Sequence, residues 1–219
     1  MVGAKKKIPA RSPRHGGNKD DAAARERILE AAFRAFTEGG YAATSTLEIA
    51  TRARVSKREL YALVGTKHEM LIACIKERSR RFQVPADLPS PPDRQALAHL
   101  LVSIGTQLVR EISDPTVVAV FRLAVAESVN APEVARTLDS IGREASRSAL
   151  RGIMTDAVQS GLLEGEPPVL AQQFSALLWG ELLVSLLLGV ASQPGPGEIA
   201  RRVRDAVSSF LQLHPPREA

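Results

Sequence analysis

From Ala22 onward the apolar residues recur at helical spacing, and no segment alternates with the two-residue period of a half-buried strand. Ile28, Leu29, Ala32, Phe33 and Phe36 fall at i, i+1, i+4, i+5 and i+8, one face of a helix that Gly39-Gly40 stops. Thr44 or Ser45 can cap a short second helix, with Glu48 as its capping-box acid. Ser56 with Glu59, and Thr66 with Glu69, repeat that spacing for a third and a fourth. Beyond a proline cluster, Leu97, Leu101, Ile104 and Leu108 mark a further helix, and Asp114-Pro115 opens another through Val118, Phe121, Leu123 and Val125. Pro132 opens a long one through Val134, Leu138, Ile141, Ala145, Met154 and Val158 to Gly161. An apolar helix and a last helix carrying Ile199, Val203, Val207, Phe210 and Leu211 follow. The chain therefore predicts an all-α protein of about nine helices.

Proline and charge divide this helical chain. Residues 1–21 lack a periodic apolar set and read as a basic extension, disordered when free. Residues 22–81 form one helical unit, Pro85, Pro89, Pro91 and Pro92 make 82–92 a linker, and 93–219 form a second helical unit. Residues 1–19 carry six cations and no acid. Residues 22–81 have 12 basic and 7 acidic side chains, whereas 82–219 have 11 basic and 15 acidic. A positive front and a negative back predict that the front meets a polyanion. One cysteine forbids an intrachain disulfide framework, and the four histidines lack ligand spacing, so neither a metal nor a cofactor is expected. No apolar run follows the basic N-terminus, so no signal peptide is read and a cytoplasmic location is expected. The stretch Phe174 to Ser192 nears the length of a membrane span, but Gln172, Gln173 and Glu181 thin it and no cations flank it. It is read as a buried helix, with no membrane partner.

Residues 46–65 carry the most specific pattern. A helix-turn-helix needs a small residue where its helices cross, a tight turn four residues later, and apolar positions facing inward on its second helix. Ala50 is small, Arg54 stands at the turn, and Ile49, Ala53, Val55, Leu60 and Leu63 supply the inner face. Lys57, Arg58, Tyr61 and Ala62 are left outside. Two cations and a phenol on a short helix suit phosphate and base-edge contacts in a major groove.

With these residues in place, the segment resembles the tetracycline-repressor (TetR) family of bacterial regulators. The matching residues are Arg25 to Ala32, Phe36, Gly39-Gly40-Tyr41, Thr44-Ser45, Ile49-Ala50, Ala53, Val55-Ser56, Leu60-Tyr61, Gly65, Lys67 and Leu71. The resemblance implies an N-terminal three-helix helix-turn-helix DNA-binding domain and a C-terminal helical bundle for ligand binding and dimerisation. It implies a homodimer formed through the last two helices, a palindromic double-stranded DNA operator, and a small-molecule effector that releases it, most simply as a repressor. Three positions depart from the pattern: Arg54 replaces the turn glycine, Val64 stands where phenylalanine is usual, and Thr46 fills a slot that is usually apolar. Carried over residue by residue, Arg58 reads a base, because guanidinium is bidentate to guanine O6 and N7. Lys57 reads a base or a phosphate. Thr44, Ser45, Ser56 and Tyr61 clamp the backbone, and Lys67 adds charge at a helix N-terminus. At the departing position, either the turn differs slightly or Arg54 gains a phosphate contact that offsets its strain. The basic tail, Lys5 to Arg14, is a second possible DNA contact.

In the second unit, the expected walls of an effector pocket are Leu101, Ile104, Leu108, Phe121, Val125, Ile141, Met154, Phe174, Leu178 and Trp179, with Gln107, His99, Gln173 and Glu181 as orienting groups. Little positive charge is positioned to meet an anion, which predicts a hydrophobic or amphipathic effector rather than a highly anionic one. Cys74 sits among Leu71 and Ile75, so packing is its expected role rather than redox sensing. An enzyme would need a nucleophile with its base, paired acids or a metal cluster, and no such spacing is present. A constitutive or architectural DNA-binding protein without an inducer is the alternative reading.

Overall fold

The computed structural model describes residues 17–79 and 90–216, and every regular element among them is helical. Helix α1 spans Gly17–Gly39, α2 Thr46–Ala53, α3 Lys57–Leu63 and α4 Lys67–Ser79. After the proline-rich segment come α5 (Arg94–Ile112), α6 (Pro115–Ala126) and α7 (Pro132–Thr137). Helix α7 widens into a π turn over Leu138–Arg143 and continues as α8 (Glu144–Gln159), so the three form one rod. The chain then runs through α9 (Pro167–Trp179), α10 (Leu182–Leu188) and α11 (Pro196–Leu213).

The helix boundaries follow local chemistry. Ser45 and Ser56 each accept the backbone N–H three residues on, at 3.1 Å, as N-caps of α2 and α3. At α4 the capping box is complete: Glu69 N–H donates to Thr66 Oγ1 at 3.3 Å, and the Glu69 carboxylate accepts Thr66 N–H at 2.7 Å. The Thr66 N–H and the Thr66 hydroxyl, the latter at 2.8 Å, both donate to that carboxylate and hold it below its usual range. Gly65, at φ +92°, keeps that box open, since a Cβ there would collide with the Glu69 carboxylate. Asp93 and Asp114 cap α5 and α6, the latter ahead of Pro115. Helix α1 begins at Gly17, before the Ala22 expected from periodicity, with Asp20 in its first turn complementing the helix dipole.

Two apolar clusters seal the molecule. One joins α5, α8, α9, α10 and α11 through Leu97, Leu101, Met154, Phe174, Val203 and Phe210. The Phe174 and Phe210 rings meet edge to face, with centroids 5.2 Å apart. The other joins α1 to α4 with Val120, Leu123 and Ala124 of α6 and Val134 of α7. Helices α1 to α4 thus share a core with residues far beyond the proline cluster. The basic extension expected over residues 1–21 lies mostly outside the described residues, as does most of the expected linker 82–92.

One expectation is corrected. Phe174 to Ser192 is two helices, not one, because the chain turns at Gly180 (φ 45°, ψ −129°), and α9 and α10 are bent by 53°. No single helix among the described residues is long and apolar enough to cross a membrane, and Leu170, Phe174, Leu178, Leu182 and Leu186 of this pair are buried inside the protein.

Candidate DNA interface and effector cavity

Helices α2 and α3 cross where the sequence placed the small residue. Ala50 is buried together with Ile49, Ala53 and Leu60. The turn residue Arg54 lies in the left-handed region at φ 56° and ψ 47°, the one non-glycine residue at positive φ among the described residues. Val55 N–H returns to the Ala50 carbonyl at 3.1 Å and closes the cap. A side chain in that region carries about 1 kcal/mol of strain. Arg54→Gly is therefore expected to raise thermal stability slightly. If Arg54 also touches phosphate, the same variant weakens DNA binding and lowers the salt slope by about one ion. Unfolding curves and salt titrations of the one variant read both effects.

Leu60 turns inward, and α3 presents Lys57, Arg58, Tyr61 and Ala62 to solvent. No carboxylate among the described residues pairs with Arg54, Lys57 or Arg58. Arg52, by contrast, is bound by Glu38 at 2.6 Å and Glu48 at 2.8 Å. The Tyr61 hydroxyl shares a hydrogen bond of 3.2 Å with Thr46 Oγ1. That contact explains why a polar residue is tolerated at position 46: the hydroxyl pair ties α2 to α3 at the outer surface. Ser45 and Ser56 are exposed at the helix starts, beside α3.

Two of the residues expected at this surface also make contacts inside the protein. Thr44 is 4% exposed, and its Oγ1 lies 2.7 Å from the Gly40 carbonyl oxygen and 3.0 Å from that of Ala35, so its hydroxyl donates inward. Lys67 donates to the Ala42 carbonyl at 3.2 Å, and its ammonium stands 4.5 Å from the centroid of the Tyr41 ring. Burial lowers its pKa from the ordinary lysine value. The Ala42 peptide is held from both sides, because its N–H donates to Glu127 Oε1 at 3.1 Å. Glu127 closes α6 and is buried. The loop that feeds α2 is thereby pinned between α4 and α6.

A cavity of about 490 Å³ lies between α4, α5, α6, the π turn, α8, α9 and α10. This size suits a small organic ligand. Of the expected wall residues, Leu108, Phe121 and Trp179 line it. Leu101, Ile104, Met154, Phe174 and Leu178 do not: they are close-packed core, each 3% exposed or less. Val125 is 64% exposed on the outside of α6. Gln107, His99, Gln173 and Glu181 are absent from the lining, and Gln172 and Ser175 stand there instead. Sequence reasoning also missed Ile75 and Arg78 of α4, and Arg143, Arg147 and Arg151, all of which line the cavity. The expected absence of nearby positive charge is therefore corrected. The signal was the i, i+4, i+8 spacing of those three arginines, but the face they occupy depends on the packing of α8.

Cys74, 1% exposed, donates its thiol to the Leu29 carbonyl at 3.4 Å, and burial pushes its pKa to about 12. A thiol so rarely ionised is a packing residue, as expected.

Residues 28–74 match the model of the bacterial regulatory proteins of the tetR family, and residues 99–214 match that of the AefR-like transcriptional repressor C-terminal domain. The chain belongs to the TetR family. Its fold and family are those of DNA-binding transcriptional regulators with a helix-turn-helix. Among solved structures, it is similar to a TetR regulator from Agrobacterium tumefaciens, with 25% identity, a TM-score of 0.74, and 89% of this chain and 95% of that one covered. It is also similar to the flavonoid-responsive regulator FrrA, with 29% identity, a TM-score of 0.74, and 90% and 100% covered. A TetR-family regulator from Pseudomonas syringae pv. tomato shares 26% identity at a TM-score of 0.67, with 89% and 98% covered. No curated protein matches the chain.

Proposed function

We propose that this TetR-family chain is a repressor that binds a palindromic operator as a homodimer and releases it when a small amphipathic effector enters the cavity. The observation that carries this reading is the double duty of α4. Ile75 and Arg78 of that helix line the cavity, and Lys67 at its start grips the loop that feeds α2. A ligand that favours one position of α4 biases the placement of the recognition helix, and it does so only to the extent that it binds one arrangement better than the other.

On the DNA side, Arg58 reads a guanine, Lys57 reads a base or a phosphate, and Ser45, Ser56, Tyr61 and Arg54 hold the backbone. Lys67 adds its charge at the start of α4, where it also holds the loop, and the buried Thr44 supports that loop. In the homodimer the two α3 helices stand about one DNA turn apart, roughly 34–36 Å. The last two helices form the dimer contact, and exposed apolar residues support that placement: Val184 is 57% and Leu188 72% exposed on α10, and Val190 beyond it is 77% exposed. The basic tail adds a second DNA contact, and the regulator works in the cytoplasm.

The flavonoid response of FrrA supports an aromatic effector, as do Phe121 and Trp179 in the cavity wall. Gel-shift titration with a panel of flavonoids, related phenols and aromatic carboxylic acids tests the reading. At least one compound is expected to release operator DNA. If none alters operator affinity, the protein is a constitutive regulator, and equal binding to random DNA would make it an architectural one.

A further inference from the structure

The wall contributed by α8 carries a stripe of guanidinium groups. Arg143, Arg147 and Arg151 stand at i, i+4 and i+8, one above another along a single side of the rod, and all three line the cavity. Arg78 enters from α4, and Glu111 is the acid in the lining. The acids that pair with the stripe lie outside the lining. Asp139 takes Arg143 at 2.9 Å and also Arg147, while Glu144 takes Arg151 and approaches Arg147 at 3.8 Å. The rings of Phe121 and Trp179 line the same cavity. The stripe starts on the π turn, whose Leu138, Gly142 and Arg143 all belong to the wall. Such turns are rare and concentrate at functional sites.

The chemistry of this wall is mixed: aromatic and aliphatic side chains share it with cationic ones. Arg147 and Arg151 are 37% and 40% exposed, so their pairs with Asp139 and Glu144 are partly solvated. Partly solvated pairs of this kind hold weakly, and an incoming carboxylate exchanges with them at little cost. Guanidinium then receives the newcomer through two parallel hydrogen bonds.

We infer that the effector is an amphipathic anion, a carboxylate on an aromatic body, whose carboxylate docks on Arg147 and Arg151 while its body lies against Phe121 and Trp179. This inference rests on the reading of the cavity as the effector site. It narrows the ligand class to acids.

Trp179 is the only tryptophan of the chain, so its emission reports occupancy of this cavity. Biphenyl-4-carboxylate and its uncharged methyl ester are titrated into the full-length protein. The acid is expected to bind about tenfold or more tightly than the ester, because only the acid gains charge-assisted hydrogen bonds. Arg147→Met with Arg151→Met should bring the acid to the affinity of the ester and leave the ester where it was. Asp139→Asn removes a competing counter-ion and should tighten the acid alone, an effect that a merely structural role for Asp139 would not give. That variant and the comparison of acid with ester in the parent decide the matter even if the double arginine variant fails to fold. Equal affinities for acid and ester overturn the anion site while leaving the cavity as an effector site. Emission that responds to neither compound overturns both.

Discussion

Lys57→Ala/Arg58→Ala is expected to lose about 2–4 kcal/mol of operator affinity, roughly 30- to 1,000-fold, since a bidentate arginine–guanine contact is worth 1–3 kcal/mol and a phosphate contact adds to it. Both side chains are exposed on the outer face of α3, and the Ser56 cap that starts the helix is untouched. Alanine is also a strong helix former. The variant should therefore fold and melt as the parent does, which separates lost recognition from lost structure. The slope of log affinity against log salt should flatten by one to two ions, about 0.9 per phosphate contact removed. Fluorescence anisotropy with labelled operator across a salt series reads both quantities. A change below about threefold would show that α3 does not touch DNA.

The second large effect lies beneath that face. Leu60 is 0% exposed and belongs to the cluster that joins α1 to α4 with α6 and α7. Leu60→Ala is expected to cost about 2–5 kcal/mol, the lost transfer free energy plus the cavity left under a helix too short to slump into it. Helix α3 has seven residues and a single buried anchor in Leu60. The midpoint of urea unfolding should fall with little change in slope, the mark of lost stability rather than a changed denatured state. Operator binding should fall as well, because the outer face of α3 is held in place by its inner one. A cost below about 1 kcal/mol would mean that the α2–α3 crossing is not sealed by Leu60.

The helix-turn-helix was legible because its determinants are local. A serine cap reaches three residues along the chain, a left-handed turn is decided by one residue, and the inner face of α3 follows from helical period alone. Arg54 in place of glycine did not hide the turn, and the residue takes the left-handed conformation that the pattern demands. The cavity was not legible for the opposite reason. Leu101, Met154 and Phe174 have the same apolar character as Leu108 and Phe121, and only the packing of distant helices decides which of them face empty space. The π turn, which shifts the helical register ahead of α8, leaves no periodic signature in the sequence. Thr44 shows the limit of transferring roles by position. A hydroxyl suited to phosphate is here buried and directed at the carbonyls of Ala35 and Gly40. Glu127, which holds that loop from a different helix, carried no sequence signal, since its partner Ala42 is 85 residues away.

Selection of bound duplexes from a random-sequence pool bears most directly on the claim that paired α3 helices read an operator. Enrichment of an inverted repeat whose half-sites sit about one helical turn apart is the predicted result. A pool that emerges without a shared motif, or with a single unrepeated site, would contradict it.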